Sequence, residues 1–210
     1  MIRTILIFGT LVGLSGCPVY HLNDLPESQS VDQPVLFNRP GSLVHEASGL
    51  KFAEWYDHFQ RVTAYQYDTL GTNVGIGYND RRPECLIVAT FYLYPTPPMS
   101  FIGASPNAVA SIEGNWLEQE FARGMAAIEK YHPTLESPVI AASTTPVVGT
   151  VLRGSSFTFH ESGEFSELRL FVYRHQWFLK FRFTYPDSCS AEAESRLEAL
   201  VANLPWAVAQ

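Results

Sequence analysis

Basic residues are scarce in this chain of 210 residues, which has 14 Lys and Arg against 21 Asp and Glu and a formal net charge of −7. A nucleic-acid-binding protein needs a basic surface that displaces counterions from the phosphate backbone. The acidic balance therefore argues against DNA or RNA as a partner.

The chain also lacks the short motifs of common catalytic and cofactor sites. It has no Gly-x-Ser-x-Gly elbow, His-Glu-x-x-His helix, phosphate-binding glycine loop or Cys-x-x-Cys pair. His160 and Glu161 are neighbours in a predicted strand, where adjacent side chains point to opposite faces. Glu118 and Glu120 are two apart on a predicted helix and do not face each other. The sequence therefore predicts no catalytic residue, metal site or cofactor.

An apolar run long enough to span a membrane is missing from the N-terminus, which reads MIRTILIFGTLVGLSGC. Its apolar stretch runs from Ile5 to Leu14, whereas a spanning helix needs about 20 such residues. With Arg3 before it, the stretch has the length of the apolar region of a signal peptide.

This segment ends in Leu14-Ser15-Gly16-Cys17, which resembles the lipobox of bacterial lipoproteins. The resemblance implies that residues 1–16 are a signal peptide, cut before Cys17, and that the Cys17 thiol carries a diacylglycerol. Two or more acyl chains hold a protein stably at a bilayer. We therefore expect a lipid-anchored protein of the cell envelope, facing the periplasm of a Gram-negative bacterium. The alternative is an ordinary cleaved signal followed by an incidental cysteine.

Cysteine is otherwise limited to Cys85 and Cys189. In an exported domain this even number permits a disulfide. The alternative is two buried thiols that act as small hydrophobic side chains.

Residues 17–48 are rich in proline and polar side chains and have no sustained periodicity, which predicts a partly extended linker with a reach of about 30 Å. Within it, residues 35–37 are apolar enough to dock on the domain. The globular domain is predicted to cover residues 49–210.

Alternating and helical patterns divide this domain into strands, a long helix, more strands and a final helix. Predicted strands cover residues 59–68, 73–78, 86–94, 139–148, 152–161, 168–173 and 177–185, and predicted helices cover residues 112–132 and 191–204. The first helix has an apolar stripe of Trp116, Phe121, Met125 and Ile128, and Ser190 is a candidate cap for the second. Residues 86–94 are apolar on both faces, which predicts a central strand covered on both sides.

The strands are joined by short turns, so we expect an α+β fold with an antiparallel sheet covered by two amphipathic helices. The pattern resembles the PsbP-like α/β/α sandwich, especially proteobacterial proteins of that fold. The strings that carry the resemblance are NVGIGY at residues 73–78, ATFYLYP at residues 89–95 and FLKFRFTYP at residues 178–186. It implies a non-catalytic binding or assembly domain over roughly residues 50–206, without a defined ligand or site. Because a lipobox replaces a plastid transit peptide, no oxygen-evolving role is implied.

Cations cluster in the last predicted hairpin of this acidic chain. Lys180 and Arg182 share a strand face, and Arg169 lies on the preceding strand. One interpretation is a site for an anion or an acidic partner, formed by Arg169, Lys180 and Arg182. The other, which the sequence favours, is that Lys180 and Arg182 bury their stems and pair with acids on the covering helices.

Two functions of different classes follow. The first is a membrane-tethered binding module for an envelope protein or a small anionic ligand. The second is an envelope enzyme that acts on lipid or peptidoglycan through an unrecognised site. A pocket with a nucleophile beside an acid or histidine of shifted pKa would favour the enzyme. A patch of exposed aromatic and cationic side chains would favour the binding module.

Overall fold

The computed structural model describes residues 19–21, 34–36, 39–131, 139–147, 150–161 and 163–204. The predicted signal peptide and Cys17 lie outside this range. The strands are β1 (Val19–His21), β2 (Val35–Leu36), β3 (Ser42–His45), β4 (Leu50–Phe52), β5 (Trp55–Tyr56), β6 (Phe59–Gln66), β7 (Val74–Asp80), β8 (Val88–Pro95), β9 (Val139–Val147), β10 (Thr150–Glu161), β11 (Glu164–Tyr173) and β12 (Trp177–Pro186). The helices are α1 (Pro106–Tyr131) and α2 (Ser190–Asn203).

The main sheet has nine strands, paired antiparallel in the order β2-β6-β7-β8-β12-β11-β10-β9, with β5 paired to β6. The predicted α+β class with an antiparallel sheet and two helices is therefore confirmed. Helix α1 connects β8, in the middle of the sheet, to β9 at its edge. It packs on β10 and β11 as it crosses, so most of β6, β7 and β8 extends beyond it on that face.

The two faces of the sheet have separate cores because neighbouring strand residues point in opposite directions. On one face, Phe171, Phe181 and Phe183 form a large cluster with Leu197 and Val201 of α2. The other face has a smaller cluster, in which side chains of α1 meet those of β11 and β12. Its buried members are Trp116, Phe121, Leu168, Leu170, Val172 and Phe178.

The predicted apolar stripe of α1 lies in this smaller core. Trp116 and Phe121 are buried, and Met125 and Ile128 are partly buried against the same cluster. The helix begins at Pro106, six residues before the predicted start. Ser105 Oγ accepts a hydrogen bond from the Ala108 N–H at 3.3 Å, and proline is favoured in the first helical turn. The cap predicted at Ser190 is wrong, because α2 is preceded by Cys189 and has no side-chain cap.

Three strands lie within residues 17–48, so the prediction of a linker over that whole range needs correction. Strand β1 pairs in parallel with β3, which pairs antiparallel with β4, and β2 pairs with β6. Leu43 and His45 of β3 are buried. These strands contain two to four residues, which is too short for alternation to distinguish them from a polar linker.

Arg61 joins this N-terminal region to the main sheet. Its guanidinium lies inside the domain and donates hydrogen bonds to the carbonyl oxygens of Phe52 at 2.8 Å, Arg39 at 2.5 Å and Gly41 at 2.9 Å. One side chain of β6 therefore fixes β4 and the chain that leads into β3.

The prediction that β8 is covered on both faces is also wrong. Ala89, Phe91 and Leu93 are buried, but the alternate residues Tyr92 and Tyr94 are only half-buried. The apolar run contained tyrosines, whose hydroxyl groups suit a surface in contact with water.

Candidate functional site

The sheet face beyond α1 carries a group of half-exposed tyrosines. Across the strands, Tyr65 of β6 pairs with Gly75 of β7, Gly75 with Tyr92 of β8, and Tyr92 with Lys180 of β12. Tyr67 follows β6 on the same face. We call Tyr65, Tyr67, Gly75 and Tyr92 the open face.

Gly75 brings the tyrosine rings close to the backbone of the sheet. A Cβ at this position would lie 3.0 Å from Tyr67 Cε2 and 3.3 Å from Tyr92 Cδ1. The ring centroids of Tyr67 and Tyr92 are 6.5 Å apart, and those of Tyr65 and Tyr67 are 6.3 Å apart. The rings therefore form a continuous aromatic surface over a glycine floor, although none of these residues was predicted as part of a site.

A cleft of about 360 Å³ lies where α1 meets this face. Its floor comes from β8, β11 and β12, and its wall from the C-terminal part of α1. The lining residues are Tyr92, Gly124, Ala127, Ile128, Leu168, Lys180 and Arg182. We call this space the α1 cleft.

Lys180 is held in the α1 cleft by aromatic rings. Its Nζ lies 4.8 Å from the ring centroid of Tyr92 and 5.4 Å from that of Tyr94, close enough for cation–π attraction. Burial lowers the pKa of Lys180; the carboxylate of Glu120 opposes this shift, and the nearby charge of Arg182 adds to it. A positive charge at Lys180 is therefore incompletely compensated by its surroundings.

Glu120, on α1, is bound by other groups. Its Oε1 accepts a hydrogen bond from the Tyr94 hydroxyl at 2.8 Å, and its Oε2 lies 3.3 Å from Arg123 Nη1. Burial and the carboxylate of Glu120 both raise the pKa of Tyr94, so its hydroxyl keeps its proton and acts as the donor. Glu118 is exposed. The two acids therefore have different surroundings, as expected for residues two apart on a helix: Glu118 is exposed and Glu120 is partly buried.

Among the described residues, no carboxylate lies within ion-pair distance of Lys180 or Arg182. The described acids of the covering helices that have a side-chain partner contact Tyr94, Arg123, Arg169, His175 or Arg196 instead. The interpretation that the sequence favoured, in which both cations pair with helix acids, is therefore not what the structure has. In the described ranges the Arg182 guanidinium has no hydrogen-bond partner, so its donors are available to a ligand or to water.

Arg169 does not belong with these two cations. It is paired across the hairpin with Phe181, which places it on the opposite face of the sheet. There its Nε lies 2.7 Å from Glu167 Oε1, and its Nη1 contacts Glu198 of α2. Burial alone would lower the pKa of Arg169, but hydrogen bonds to Glu167 and Glu198 raise it. The predicted trio is thus divided into a neutralised arginine and two cations in the α1 cleft.

A second cleft, of about 240 Å³, lies beside α2 and includes Arg82 and Arg196. Both arginines contact the carboxylate of Asp80, with Arg82 Nη2 at 2.6 Å and Arg196 Nη1 at 3.2 Å from Oδ2. Burial would raise the pKa of Asp80, but the hydrogen bonds from Arg82 and the charge of Arg196 hold it below its ordinary value. Because these cations already share a buried anion, the α1 cleft is the better candidate for binding one from outside.

Cys85 and Cys189 are described by the structure and do not line either cleft. The sulfur atoms of Cys85 and Cys189 lie 2.11 Å apart, at bonding distance. The side chains of His160 and Glu161 lie outside the described part of the structure. Within the described residues, no group of three His, Cys, Asp or Glu side chains is placed to hold a metal ion. No described helix is long and apolar enough to cross a membrane.

A scan of known protein families finds none that matches this chain, and a search of curated proteins finds no match either.

Proposed function

We propose that this chain is a lipid-anchored protein of the cell envelope, and that its α+β domain is a non-catalytic module that binds an anionic group in the α1 cleft. The observation that carries the binding part is the pair Lys180 and Arg182, two cations in one cleft without a carboxylate partner among the described residues. The proposed anchor is the lipobox cysteine, Cys17.

The chemistry of the cleft supports binding over turnover. Its polar lining groups are the Tyr92 hydroxyl, the Lys180 ammonium and the Arg182 guanidinium. A guanidinium and an ammonium recognise carboxylate and phosphate oxygens by charge-assisted hydrogen bonds. A hydrolase would also need a nucleophile beside a base, and no serine, cysteine, histidine or acid lines the described cleft.

The finer fold assignment is part of the same proposal. Strands, a helix, more strands and a final helix, with the two helices on opposite faces of an antiparallel sheet, are compatible with a PsbP-like sandwich. Such a domain is expected to bind or assemble with a partner, and a lipid on Cys17 would keep that partner at the envelope.

Anion binding is tested by replacing Lys180 and Arg182 together with Gln. Nuclear magnetic resonance titration with inorganic phosphate and with benzoate should shift the backbone signals of cleft residues in the wild type and not in the variant. The shifts should weaken as salt rises, because ionic attraction is screened. Stability should stay equal or rise, because two like charges that repel each other are removed. The control is Lys51→Gln with Arg81→Gln, which removes two exposed cations elsewhere.

Equal shifts in the wild type and the Lys180/Arg182 variant would contradict the anion site. A strong loss of stability in that variant would show that the cations have a structural role instead. The anchor is tested separately by growing cells with a fatty-acid analogue: the wild type should be labelled, Cys17→Ala should not be, and equal labelling of both would refute lipidation at Cys17.

A further inference from the structure

The wall of the α1 cleft has room for a larger side chain at Gly124. Gly124 and Ala127 face the cleft, and a Cβ placed on Gly124 would meet no atom within 4 Å. Glycine destabilises a helix interior relative to alanine. The helix therefore keeps an open volume at a position where a larger side chain would both fit and stabilise it.

The lining of this volume has two chemical halves. Leu168 and Ile128 supply apolar surface from the sheet and the helix, and the Tyr92 ring lies beside them. Lys180 and Arg182 supply the charge. The volume of 360 Å³ falls within the range of about 300–1,000 Å³ that is usual for pockets that hold small ligands. A purely ionic ligand would leave the apolar half in contact with water, and a purely apolar ligand would cover two cations without a partner.

We propose that the α1 cleft binds a small amphipathic anion, a single acyl chain that ends in a carboxylate or phosphate group. The anionic group lies between Lys180 and Arg182, and the acyl chain follows Leu168 and Ile128 along the wall at Gly124. The binding of the anionic group rests on the proposed function, and the binding of the acyl chain is the new part of the inference.

Binding in the α1 cleft is tested with a variant that fills the cleft and with a matched control in the same helix. Gly124→Leu fills the wall, whereas Gly114→Leu places the same side chain at a glycine that also has open space at its Cβ but does not line the cleft. The protein is the processed chain, residues 17–210, carrying Cys17→Ser so that no lipid is attached. Thermal melts first establish that both variants are folded.

Binding of decanoate, decanol and acetate is measured by calorimetry below the concentrations at which micelles form. Decanoate should bind the wild type and Gly114→Leu alike and bind Gly124→Leu at least about tenfold more weakly, a loss of roughly 1.4 kcal/mol or more. Decanol should bind about tenfold more weakly than decanoate, and replacing Lys180 and Arg182 with Gln should remove that difference.

The outcomes separate this inference from the proposed function. If acetate binds as tightly as decanoate and the double Gln variant loses both, the anion site stands and the acyl chain is refuted. If decanol binds as tightly as decanoate, the anion site itself is refuted. If folded Gly124→Leu binds decanoate like the wild type, the ligand does not occupy this cleft and the inference fails.

Discussion

His45, Arg61 and Asp80 are ionisable side chains with no more than 1% of their surface exposed. Each has hydrogen-bond or ion-pair partners of a different kind. His45 is bound by a neighbouring hydroxyl group, Arg61 by backbone carbonyl oxygens, and Asp80 by two arginines. Buried charges without such partners are costly. Lys180 and Arg182 differ from these groups, because no carboxylate of the described residues lies within ion-pair distance of either cation.

His45 should make the stability of the domain depend on pH. Its Nδ1 lies 2.7 Å from Ser48 Oγ, and its ring packs edge-on against Trp177. Burial lowers the pKa of His45 from its ordinary value of 6.5, although the Thr72 carbonyl opposes the shift. The unfolded chain therefore takes up a proton more readily than the folded one. The free energy of unfolding should be constant above pH 6.5 and fall below it, by at most about 1.4 kcal/mol per pH unit from this group.

Denaturant unfolding between pH 8 and pH 5 measures this effect. The decline should be smaller in His45→Gln, which does not titrate, and unchanged in His58→Gln, whose side chain is exposed. A wild-type protein that is equally stable at pH 7 and pH 5 would rule out the proposed cost of protonating His45.

Asp80→Asn should destabilise the domain by about 3–5 kcal/mol, because it removes the one fully buried carboxylate among the three that contact Arg196 in the described structure. The matched control is Glu84→Gln, which removes an exposed carboxylate 3.8 Å from the same arginine and should cost about 0–1 kcal/mol. Urea unfolding at pH 7 compares the two variants. If both variants lose a similar free energy of unfolding, the burial of Asp80 does not determine how strongly its ion pairs stabilise the domain.

The elements show where sequence periodicity succeeds. Alternation located β12 and its two faces, because a side-chain period of two is visible over ten residues. It located β11 only in part, since that strand begins at Glu164, four residues before the predicted start. It did not place Arg169, because the face of one strand relative to the next depends on the register across the turn at residues 174–176. In that turn Arg174 and His175 both have left-handed φ angles, 52° and 59°, which glycine or asparagine would normally signal.

The α1 cleft was hidden from the sequence for a related reason. The tyrosines of the open face lie on β8, on β6 and directly after β6, and Lys180 lies on β12, far away in the chain. They are neighbours because β8 pairs with β7 and β12 in the sheet. They stay accessible because α1 packs on β10 and β11 and covers only part of this face. Helical periodicity in the sequence predicts the apolar stripe of α1, but it does not predict which strands the helix crosses.

The packing of α1 gives a prediction for the element as a whole. Phe121 is 8% exposed and belongs to the cluster between α1 and the sheet, so Phe121→Ala should lower the free energy of unfolding by about 3–5 kcal/mol. Ile102→Ala removes a large apolar side chain that is 96% exposed and should change it by less than about 0.5 kcal/mol. A loss below about 1 kcal/mol for Phe121→Ala in denaturant unfolding would show that α1 is not packed as described.

At the scale of the whole molecule, the bond between Cys85 and Cys189 links the loop before β8 to the start of α2 across 104 residues. A link over so long a segment restricts the unfolded chain strongly, and its loss should cost about 2–5 kcal/mol. Thermal unfolding with and without a thiol reductant should show this difference, and the double variant Cys85→Ala, Cys189→Ala should not respond to the reductant. Two titratable thiols in the oxidised, denatured wild type, in addition to any at Cys17, would contradict the bond.

The pairing of β1 with β3 changes what a lipid on Cys17 would do. Strand β1 begins at Val19, two positions after that cysteine, and two residues span at most about 7 Å. An anchor this close would keep the domain near the bilayer surface, whereas a flexible linker of about 30 residues would allow it to move away from the membrane. The α1 cleft would then sample molecules that leave the membrane before they disperse. The local concentration of amphiphiles at that surface, rather than their bulk concentration, would determine how often the cleft is filled.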